Sequence, residues 1–261
     1  MNKRIVVKVG SNVLTRDDGK LNVTRMSAIV DQIVWLRQKG YDVILVSSGA
    51  VACGKSELHV ENQLDSVEQR QLFSALGQAK LIGLYYDLFR EYHIHVGQVL
   101  TMKENFEAGE QYDNQRACMS VMLENGVIPI VNENDTVSVD ELMFTDNDEL
   151  SGLIAQMMDA EELILLTNVD GIYNGNPADS KTRVIPSVYW NRDVSDYVIE
   201  EKSIQGRGGM ASKSNIAHIV ANKGIRVVIA NGNRNNILVD LIERPMETMH
   251  TEFVPKPKKE Q

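Results

Sequence analysis

The sequence predicts an α/β fold with a mainly parallel central sheet. Residues 4–10 and 43–47 are short runs rich in valine and isoleucine, which is typical of buried strands. Residues 24–39, between them, carry apolar side chains at helical spacing and end just before Gly40. A strand, a helix and a strand in this order form a βαβ unit, and such units join parallel strands.

The remaining elements continue this alternation. Further strands are predicted at residues 95–100, 127–131, 162–167 and 226–230. Helices are predicted from residue 66, at residues 111–125, from residue 146 and after residue 206. Ser66 with Gln69 is the expected cap of the long helix that starts at residue 66. Residues 174–202 are predicted to be irregular, and residues 226–230 are the last strand expected.

Composition and charge exclude several classes of protein. A hydrophobic content of 43% and a charged content of 24% are ordinary for a globular protein, and 261 residues could form one large domain or two smaller ones. The formal net charge of −9 argues against a general nucleic-acid binder. Cys53 and Cys118 form no paired motif, so neither a disulfide framework nor a zinc site is expected. Without a leader or a membrane-length apolar run, a cytoplasmic protein is expected.

Two polar clusters follow the predicted strand that ends at Val131. The first is Asn-Glu-Asn-Asp at residues 132–135, and open α/β sheets bind ligands at the carboxyl ends of their strands. The second cluster opens a helix, where Asp146 with Glu149 fits a capping box. Asp148 could serve only the helix dipole. Taken by itself, the second cluster is equally compatible with helix capping and with catalysis.

Two further segments are candidate anion sites. Lys8 lies within the first predicted strand, where a buried ammonium group needs an anionic partner, and Gly10 follows it. Residues 206–213 read Gly-Arg-Gly-Gly-Met-Ala-Ser-Lys and open a helix, so free amides would lie beside an arginine and a lysine. In an edge strand Lys8 would merely be solvated, and residues 206–213 could be a flexible loop. We favour phosphate binding for both segments.

Residues 49–56 match a third phosphate-binding pattern. Their sequence, Gly-Ala-Val-Ala-Cys-Gly-Lys-Ser, fits G-x-x-x-x-G-K-[ST] and follows a strand, which would make Lys55 the lysine of a P-loop NTPase. The interior of the match resembles the first turn of a helix more than an open amide loop. No predicted strand ends in the aspartate that would hold magnesium. A P-loop NTPase is therefore only an alternative hypothesis.

Together these segments resemble the amino acid kinase family. The resemblance covers residues 3–253 in order, and its segments are Lys8 with its glycine turn, Ser48-Gly-Ala, Asn132-Glu-Asn-Asp, Asp146-Asn-Asp, Thr167 and Gly208-Gly-Met-Ala-Ser-Lys. Within the family, Val-Lys-Val-Gly-Ser, Val-Asn-Glu-Asn-Asp and Gly-Gly-Met-Ala-Ser-Lys are most similar to members that phosphorylate the glutamate side chain in proline biosynthesis. The resemblance implies a three-layer αβα sandwich.

The resemblance also implies a reaction and its residues. ATP and Mg²⁺ would be the cofactors, L-glutamate the acceptor and glutamyl 5-phosphate the product, with no metal ligand supplied by the protein. The implied catalytic residues are Lys8, Asp148 and Lys213. The implied glutamate-binding residues are Ser48, Gly49, Asn132, Asp135 and Asn147. The implied nucleotide-binding residues are Lys8, Thr167, Asn168, Arg207, Gly208, Gly209, Met210, Ala211, Ser212 and Lys213.

Organisation and partners follow from the same resemblance. Residues 1–254 would form the kinase domain, with the amino-acid site in its first half and the nucleotide site in its second, and residues 255–261 a flexible tail without the PUA domain of many relatives. A homo-oligomer and a functional link to glutamyl phosphate reductase are expected, with no nucleic-acid or membrane partner. Asn168 departs from the acidic residue that relatives commonly have there. A kinase for another small carboxylate, or a non-catalytic ligand-sensing relative, is the alternative.

Overall fold

The computed structural model describes residues 2–61, 63–138, 144, 146–176, 181–192 and 209–257. The strands in this part of the chain are β1 (Arg4–Val9), β2 (Asp42–Ser47), β3 (Val96–Thr101), β4 (Ile128–Glu133), β5 (Glu162–Thr167), β6 (Ser187–Tyr189), β7 (Arg226–Asn231) and β8 (His250–Val254). The helices are α1 (Ser11–Leu14), α2 (Val23–Gln38), α3 (Ala50–Glu57), α4 (Ser66–Arg90), α5 (Glu110–Glu124), α6 (Asn147–Met157), α7 (Met210–Asn222) and α8 (Ile237–Glu243). None of these helices combines the length and the apolar composition that crossing a membrane requires.

All eight described strands belong to one sheet, in the order β3-β4-β2-β1-β5-β7-β8-β6. Neighbouring strands are parallel except for β7 and β8. From β1 the chain first forms β2, β3 and β4 on one side of β1. It then forms β5, β6, β7 and β8 on the other side. The carboxyl end of β1 is therefore a topological switch point, the place where open α/β sheets bind ligands. The predicted, mainly parallel sheet is confirmed.

Hydrophobic side chains cover both faces of the sheet. Ile5, Val7 and Val9 of β1 pack with side chains of α2, α4 and α8, whereas Val6 packs with side chains of α5, α6 and α7. Because side chains alternate along a strand, Lys8 shares the face of Val6 and points toward α6 and α7. Helices on both faces of the sheet confirm the three-layer αβα sandwich.

The far edge of the sheet departs from the sequence prediction. β6 lies within residues 174–202, which were predicted to be irregular, and β8 lies beyond the last strand expected. β8 pairs antiparallel with β7, and it buries only Thr251 and Phe253, which alternate with partly exposed residues. Two buried positions in a five-residue strand give too little alternation for a sequence pattern to predict.

The long helix α4 begins with a different cap from the one predicted. Asp65, not Ser66, is the capping residue, and its side chain accepts hydrogen bonds from the backbone amides of Val67 and Glu68 at 2.8 Å. Glu68 completes the capping box by accepting from the Asp65 amide at 3.0 Å. The prediction was displaced by one residue because Asp and Ser cap helices about equally well.

The P-loop pattern at residues 49–56 forms the start and body of helix α3, not a phosphate-binding loop. Its second glycine, Gly54, allows α3 to pack directly on α4, since a Cβ there would lie 1.8 Å from the carbonyl oxygen of Phe73. Gly77 of α4 allows the same approach from the other side, where a Cβ would lie 1.8 Å from a carbonyl oxygen of α3. Lys55 is exposed, with its Nζ 5.9 Å from the centre of the Phe73 ring. The second glycine of the pattern thus serves helix packing and the lysine is exposed on a helix, which contradicts the P-loop hypothesis.

Gly77→Ala is expected to destabilise the protein, because the added methyl group has no room between α3 and α4. The expected loss in free energy of unfolding is about 1–3 kcal/mol, as for other overpacked cores. Gly83→Ala is the matched control in the same helix, since no atom lies within 4 Å of its added Cβ. That control should gain up to about 1 kcal/mol from helix propensity. Urea denaturation measures both, and equal stability of the two variants would contradict the packing argument.

Candidate active site

Lys8 lies near the carboxyl end of the central strand β1 and is only 4% exposed. Its Nζ is 2.7 Å from Oδ1 of Asp148 in α6, which supplies the anionic partner that a buried lysine requires. Gly10 follows at the end of the strand. A Cβ at Gly10 would lie 3.5 Å from Lys8 Nζ and 3.2 Å from the carbonyl oxygen of Leu166, so glycine keeps the space beside the ammonium group open.

Asp148 bridges Lys8 and Lys213. Its Oδ2 accepts a hydrogen bond from Lys213 Nζ at 2.9 Å, while Oδ1 faces Lys8. Asp148 is fully buried, and both lysines are buried beside it. Within this triad, the two ammonium groups exceed the single carboxylate by one positive charge. Such a cluster can attract and hold a phosphate group.

Helices α6 and α7 both begin at this cluster. Asp146 is the N-cap of α6, and its Oδ1 accepts from the amides of Asp148 at 2.8 Å and Glu149 at 3.0 Å. Asp146 is thereby confirmed as the N-cap, whereas the Glu149 carboxylate of the predicted capping box lies 3.2 Å from Lys103 Nζ. Its Oδ2 accepts a hydrogen bond from Ser212 Oγ, in the first turn of α7, at 2.5 Å. Gly209 precedes α7, and helix starts favour anions through their unpaired amides and dipole.

A hydrogen-bond network next to Lys8 joins four of the polar residues near the strand ends. The amide nitrogen Nδ2 of Asn147 donates to Asn132 Oδ1 and to Ser48 Oγ, both at 3.0 Å. Asn132 Nδ2 in turn donates to Oε1 of Gln78 in α4 at 2.9 Å. Gly49 follows Ser48 with a φ of 104°, a conformation that favours glycine. Ser48, Asn132 and Asn147, predicted from distant segments, therefore meet in one place, and Gln78 was not predicted.

Arg70 of α4 is a second residue that sequence reasoning missed. Its Nη2 lies 2.8 Å from Glu133 Oε2, and both Nε and Nη2 donate to Asp135 Oδ1, Nε at 2.8 Å. The Oε1 of Glu133 accepts from Ser138 Oγ at 3.0 Å and from the Phe144 amide at 3.1 Å. Asp135, one of the implied glutamate-binding residues, is thus paired with a guanidinium group in this structure. Arg70 and Gln78 are two turns apart on α4. Polar side chains recur at every fourth residue there, and this spacing was the one sequence signal that could have placed both residues at the site.

The predicted nucleotide-binding residues are described in part. Thr167 ends β5, where it is 7% exposed and donates to Oδ1 of the exposed Asn168 at 3.3 Å. Gly209 caps α7 and is followed by Met210, Ala211, Ser212 and Lys213 at the start of the helix, whereas Arg207 and Gly208 lie outside the described residues. The ends of β5 and β7 are joined by Asp170, which pairs with Arg234 at 2.6 and 2.9 Å. Thr167 and α7 therefore border the same edge of the sheet as Lys8.

The acid stability of the protein is expected to depend on Asp148. Burial alone would raise the pKa of its carboxyl group, but the charges and hydrogen bonds of Lys8 and Lys213 outweigh burial and hold this pKa below its usual 3.8. The unfolded chain therefore takes up this proton at a higher pH than the folded protein does. The stabilisation is complete at neutral pH and is lost as the pH falls below about 4.

Asp148→Asn is the variant that tests this dependence. At pH 7 we expect it to lower the free energy of unfolding by about 3–5 kcal/mol, as when one partner of a buried ion pair is removed. The difference between wild type and variant should shrink toward the lowest pH at which both still fold. Urea denaturation across that range measures it, and a difference that stays constant or grows with acidity would contradict the pKa argument.

Solved structures with the same architecture have diverged far in sequence. Carbamate kinase from Giardia lamblia bound to AMP-PNP superposes with a TM-score of 0.69 at 14% identity, over 98% of this chain and 99% of that one. UMP kinase from Bacillus anthracis superposes with a TM-score of 0.65 at 16% identity, over 98% and 97% of the two chains. At such identities the likeness establishes the fold alone.

Similarity to curated proteins is much higher. The chain is 65% identical over 252 residues to glutamate 5-kinase of Bacteroides thetaiotaomicron, covering 97% of this chain and 70% of that protein. It is 45% identical to glutamate 5-kinase of Chlorobaculum tepidum over 90% of this chain but spans only 65% of that protein. For glutamate 5-kinase of Clostridium acetobutylicum the identity is 39%, with 98% and 96% covered. The model of the amino acid kinase family matches residues 3–231, and this chain belongs to that family.

Proposed function

We propose that this protein transfers the terminal phosphoryl group of ATP to the side-chain carboxylate of L-glutamate, which forms glutamyl 5-phosphate, the first step of proline biosynthesis. The observation that carries this proposal is the buried Asp148 held between Lys8 and Lys213 at the switch point of the sheet. The relative with 65% identity, a glutamate 5-kinase, supports glutamate as the acceptor.

The reaction needs positioning more than it needs a base. A glutamate side chain has a pKa of about 4.3, so at neutral pH it is already an anionic nucleophile. One of its oxygens bonds to the γ-phosphorus of ATP while the bond to the β,γ-bridging oxygen breaks, and ADP leaves with that electron pair. Lys8 and Lys213 would offset the repulsion between the two anions and stabilise charge on the phosphoryl oxygens. Asp148 would hold both ammonium groups in place.

Magnesium would reach this site with the nucleotide. The described residues include no group of three or more His, Cys, Asp or Glu side chains that could hold a metal ion. Both oxygens of Asp148 already face lysines. This fits Mg²⁺, which usually binds through substrate phosphates and keeps several waters. When bound, the ion would neutralise part of the charge on the β- and γ-phosphates.

The two substrates would occupy neighbouring parts of the carboxyl edge. We assign Ser48, Gly49, Asn132, Asp135 and Asn147 to glutamate. We assign Thr167, Asn168 and residues 207–213 to ATP, together with Lys8. The hydrogen bonds among Ser48, Asn132 and Asn147 support a shared role, since they order three polar side chains beside the lysines.

The wider setting follows from the chemistry of the product. An acyl phosphate hydrolyses readily, so a reductase that consumes it, glutamyl phosphate reductase, is the functional link we propose. We also propose a cytoplasmic homo-oligomer in which residues 1–254 act as one kinase domain. The match of the family model to residues 3–231 supports a single catalytic domain.

Removal of either lysine should abolish most of the turnover. Loss of one such preorganised donor typically costs about 2.7–4 kcal/mol, or roughly 10²- to 10³-fold in kcat. In an assay with ATP, Mg²⁺ and glutamate, acyl phosphate is trapped with hydroxylamine. Lys8→Ala and Lys213→Ala should each form it at least roughly 10²-fold more slowly than wild type. Lys55→Ala is the control and should retain wild-type turnover, since Lys55 is exposed on α3.

The assay also separates the alternatives. Near-wild-type turnover in either lysine variant would contradict the roles assigned to Lys8 and Lys213. If the wild type formed product with another small carboxylate and not with glutamate, the acceptor would be wrong. No product with glutamate, aspartate or acetylglutamate would indicate the ligand-sensing relative.

Asp135→Asn should weaken glutamate binding more than turnover. A hydrogen bond to a charged group is worth about 1.5–3 kcal/mol, so KM for glutamate should rise roughly 10-fold or more if Asp135 binds the substrate ammonium group. KM for ATP should change little. Steady-state kinetics with both substrates varied measures the two effects. Thermal unfolding checks that the weakened ion pair with Arg70 has not destabilised the fold. An unchanged KM for glutamate would remove Asp135 from the ammonium site.

A further inference from the structure

Helices α6 and α7 lie side by side and run in the same direction. Asp146 contacts Ser212 and Asp148 contacts Lys213. Deeper in the pair, Gly152 faces Ile216, whose Cγ2 would lie 2.9 Å from a Cβ at that glycine. Because residue numbers rise together along the two helices, both helices begin at the carboxyl edge of the sheet. Their relative register decides where Lys213 lies with respect to Asp148.

The Asp146 carboxylate divides its two oxygens between the helices. Oδ1 caps α6 through the amides of Asp148 and Glu149. Oδ2 accepts the hydroxyl hydrogen of Ser212 at 2.5 Å, and Asp146 is only 5% exposed. One buried side chain therefore ties the first turn of α6 to the first turn of α7. A charged acceptor makes this hydrogen bond stronger than one between neutral groups.

Within the described residues, the first turn of α7 is held by the packing of Met210 against the hydrophobic core and by the hydrogen bond of Ser212. Its capping residue is Gly209, which offers no side chain to hold the helix amides. Lys213 reaches Asp148 through a flexible four-carbon stem, so its Nζ can be held in one place only if its backbone is also fixed. Ser212 immediately precedes Lys213, and its hydroxyl group gives that backbone a polar contact with α6.

We propose that the hydrogen bond from Ser212 to Asp146 sets the register of α7 on α6 and so aims Lys213 at the transferred phosphoryl group. Both are positioning residues, and Ser212 acts through Asp146 and not by contact with ATP. The proposal rests on the function proposed above for Lys213. It refines the assignment of Ser212, which the family resemblance places in the nucleotide site.

Four variants isolate this hydrogen bond. Ser212→Ala removes the donor, and Ser212→Thr restores a hydroxyl group. Asp146→Ser keeps an N-cap for α6 but is too short to reach α7, and it is combined with Ser212→Ala in a double variant. Asn215→Ala is the control, because Asn215 is an exposed residue of the same helix.

We expect kcat to fall roughly 10- to 100-fold in Ser212→Ala, as for other small misplacements of catalytic groups, with KM for glutamate changed less than about twofold. Ser212→Thr should recover most of the loss, and Asn215→Ala should match wild type. The double variant should be no slower than the slower of its two single variants. Thermal unfolding of Ser212→Ala should occur at a somewhat lower temperature than in wild type, because the buried Asp146 carboxylate loses this donor, and the variant should remain folded at the assay temperature.

A second readout does not depend on catalysis. Lys213 is 8% exposed and ion-paired, so it should react slowly with an amine-acylating reagent, as followed by peptide mass spectrometry. Ser212→Ala should speed its labelling several-fold while Lys55 labels as before. Unchanged labelling of Lys213 together with unchanged kcat would overturn the proposal, and multiplied losses in the double variant would show that Ser212 contacts ATP directly. Absence of product from wild type would instead overturn the proposed function, while labelling would still decide the role of Ser212.

Discussion

A carboxylate buried between two ammonium groups is the constraint on which the rest of this structure depends. Charges removed from water are costly unless they are paired with good geometry, so Lys8, Asp148 and Lys213 must be placed accurately. The fold meets this need by putting Lys8 in the central strand, on the face covered by α6 and α7. This geometry requires two close approaches. Gly10 leaves room for the backbone carbonyl group of Leu166, and Gly152 leaves room for helix α7.

The two ends of the candidate site differ in the groups they present. At one end, the ammonium groups of Lys8 and Lys213 flank Asp148. At the other end, the carboxylates of Glu133 and Asp135 pair with the guanidinium group of Arg70. Ammonium groups are partners for a phosphate, and carboxylates are partners for an ammonium group. A zwitterionic amino acid that presents its far carboxylate to a phosphoryl group fits this arrangement.

Sequence patterns predicted the parts of the site that lie directly after strands or at helix starts. Lys8 was predicted because an ammonium group in a buried strand needs a partner, and the structure supplies Asp148. In the second polar cluster, Asp146 caps α6 as predicted, and Asp148 faces the two lysines, so its catalytic role stays a proposal. Arg70 and Gln78 were missed because a polar residue on a long helix looks the same whether it faces solvent or a site. Likewise β8 depends on pairing with β7, which no local pattern encodes.

The ion triad also has a consequence for folding. Lys8 and Asp148 are more than half the chain apart, and Lys213 is another 65 residues away from Asp148. No short fragment can assemble the site, because its contacts close only when distant strands pair, and such loop closures are slow steps in folding. Recovery of catalytic activity after dilution from denaturant should therefore report the last stage of chain assembly, later than the appearance of helical structure.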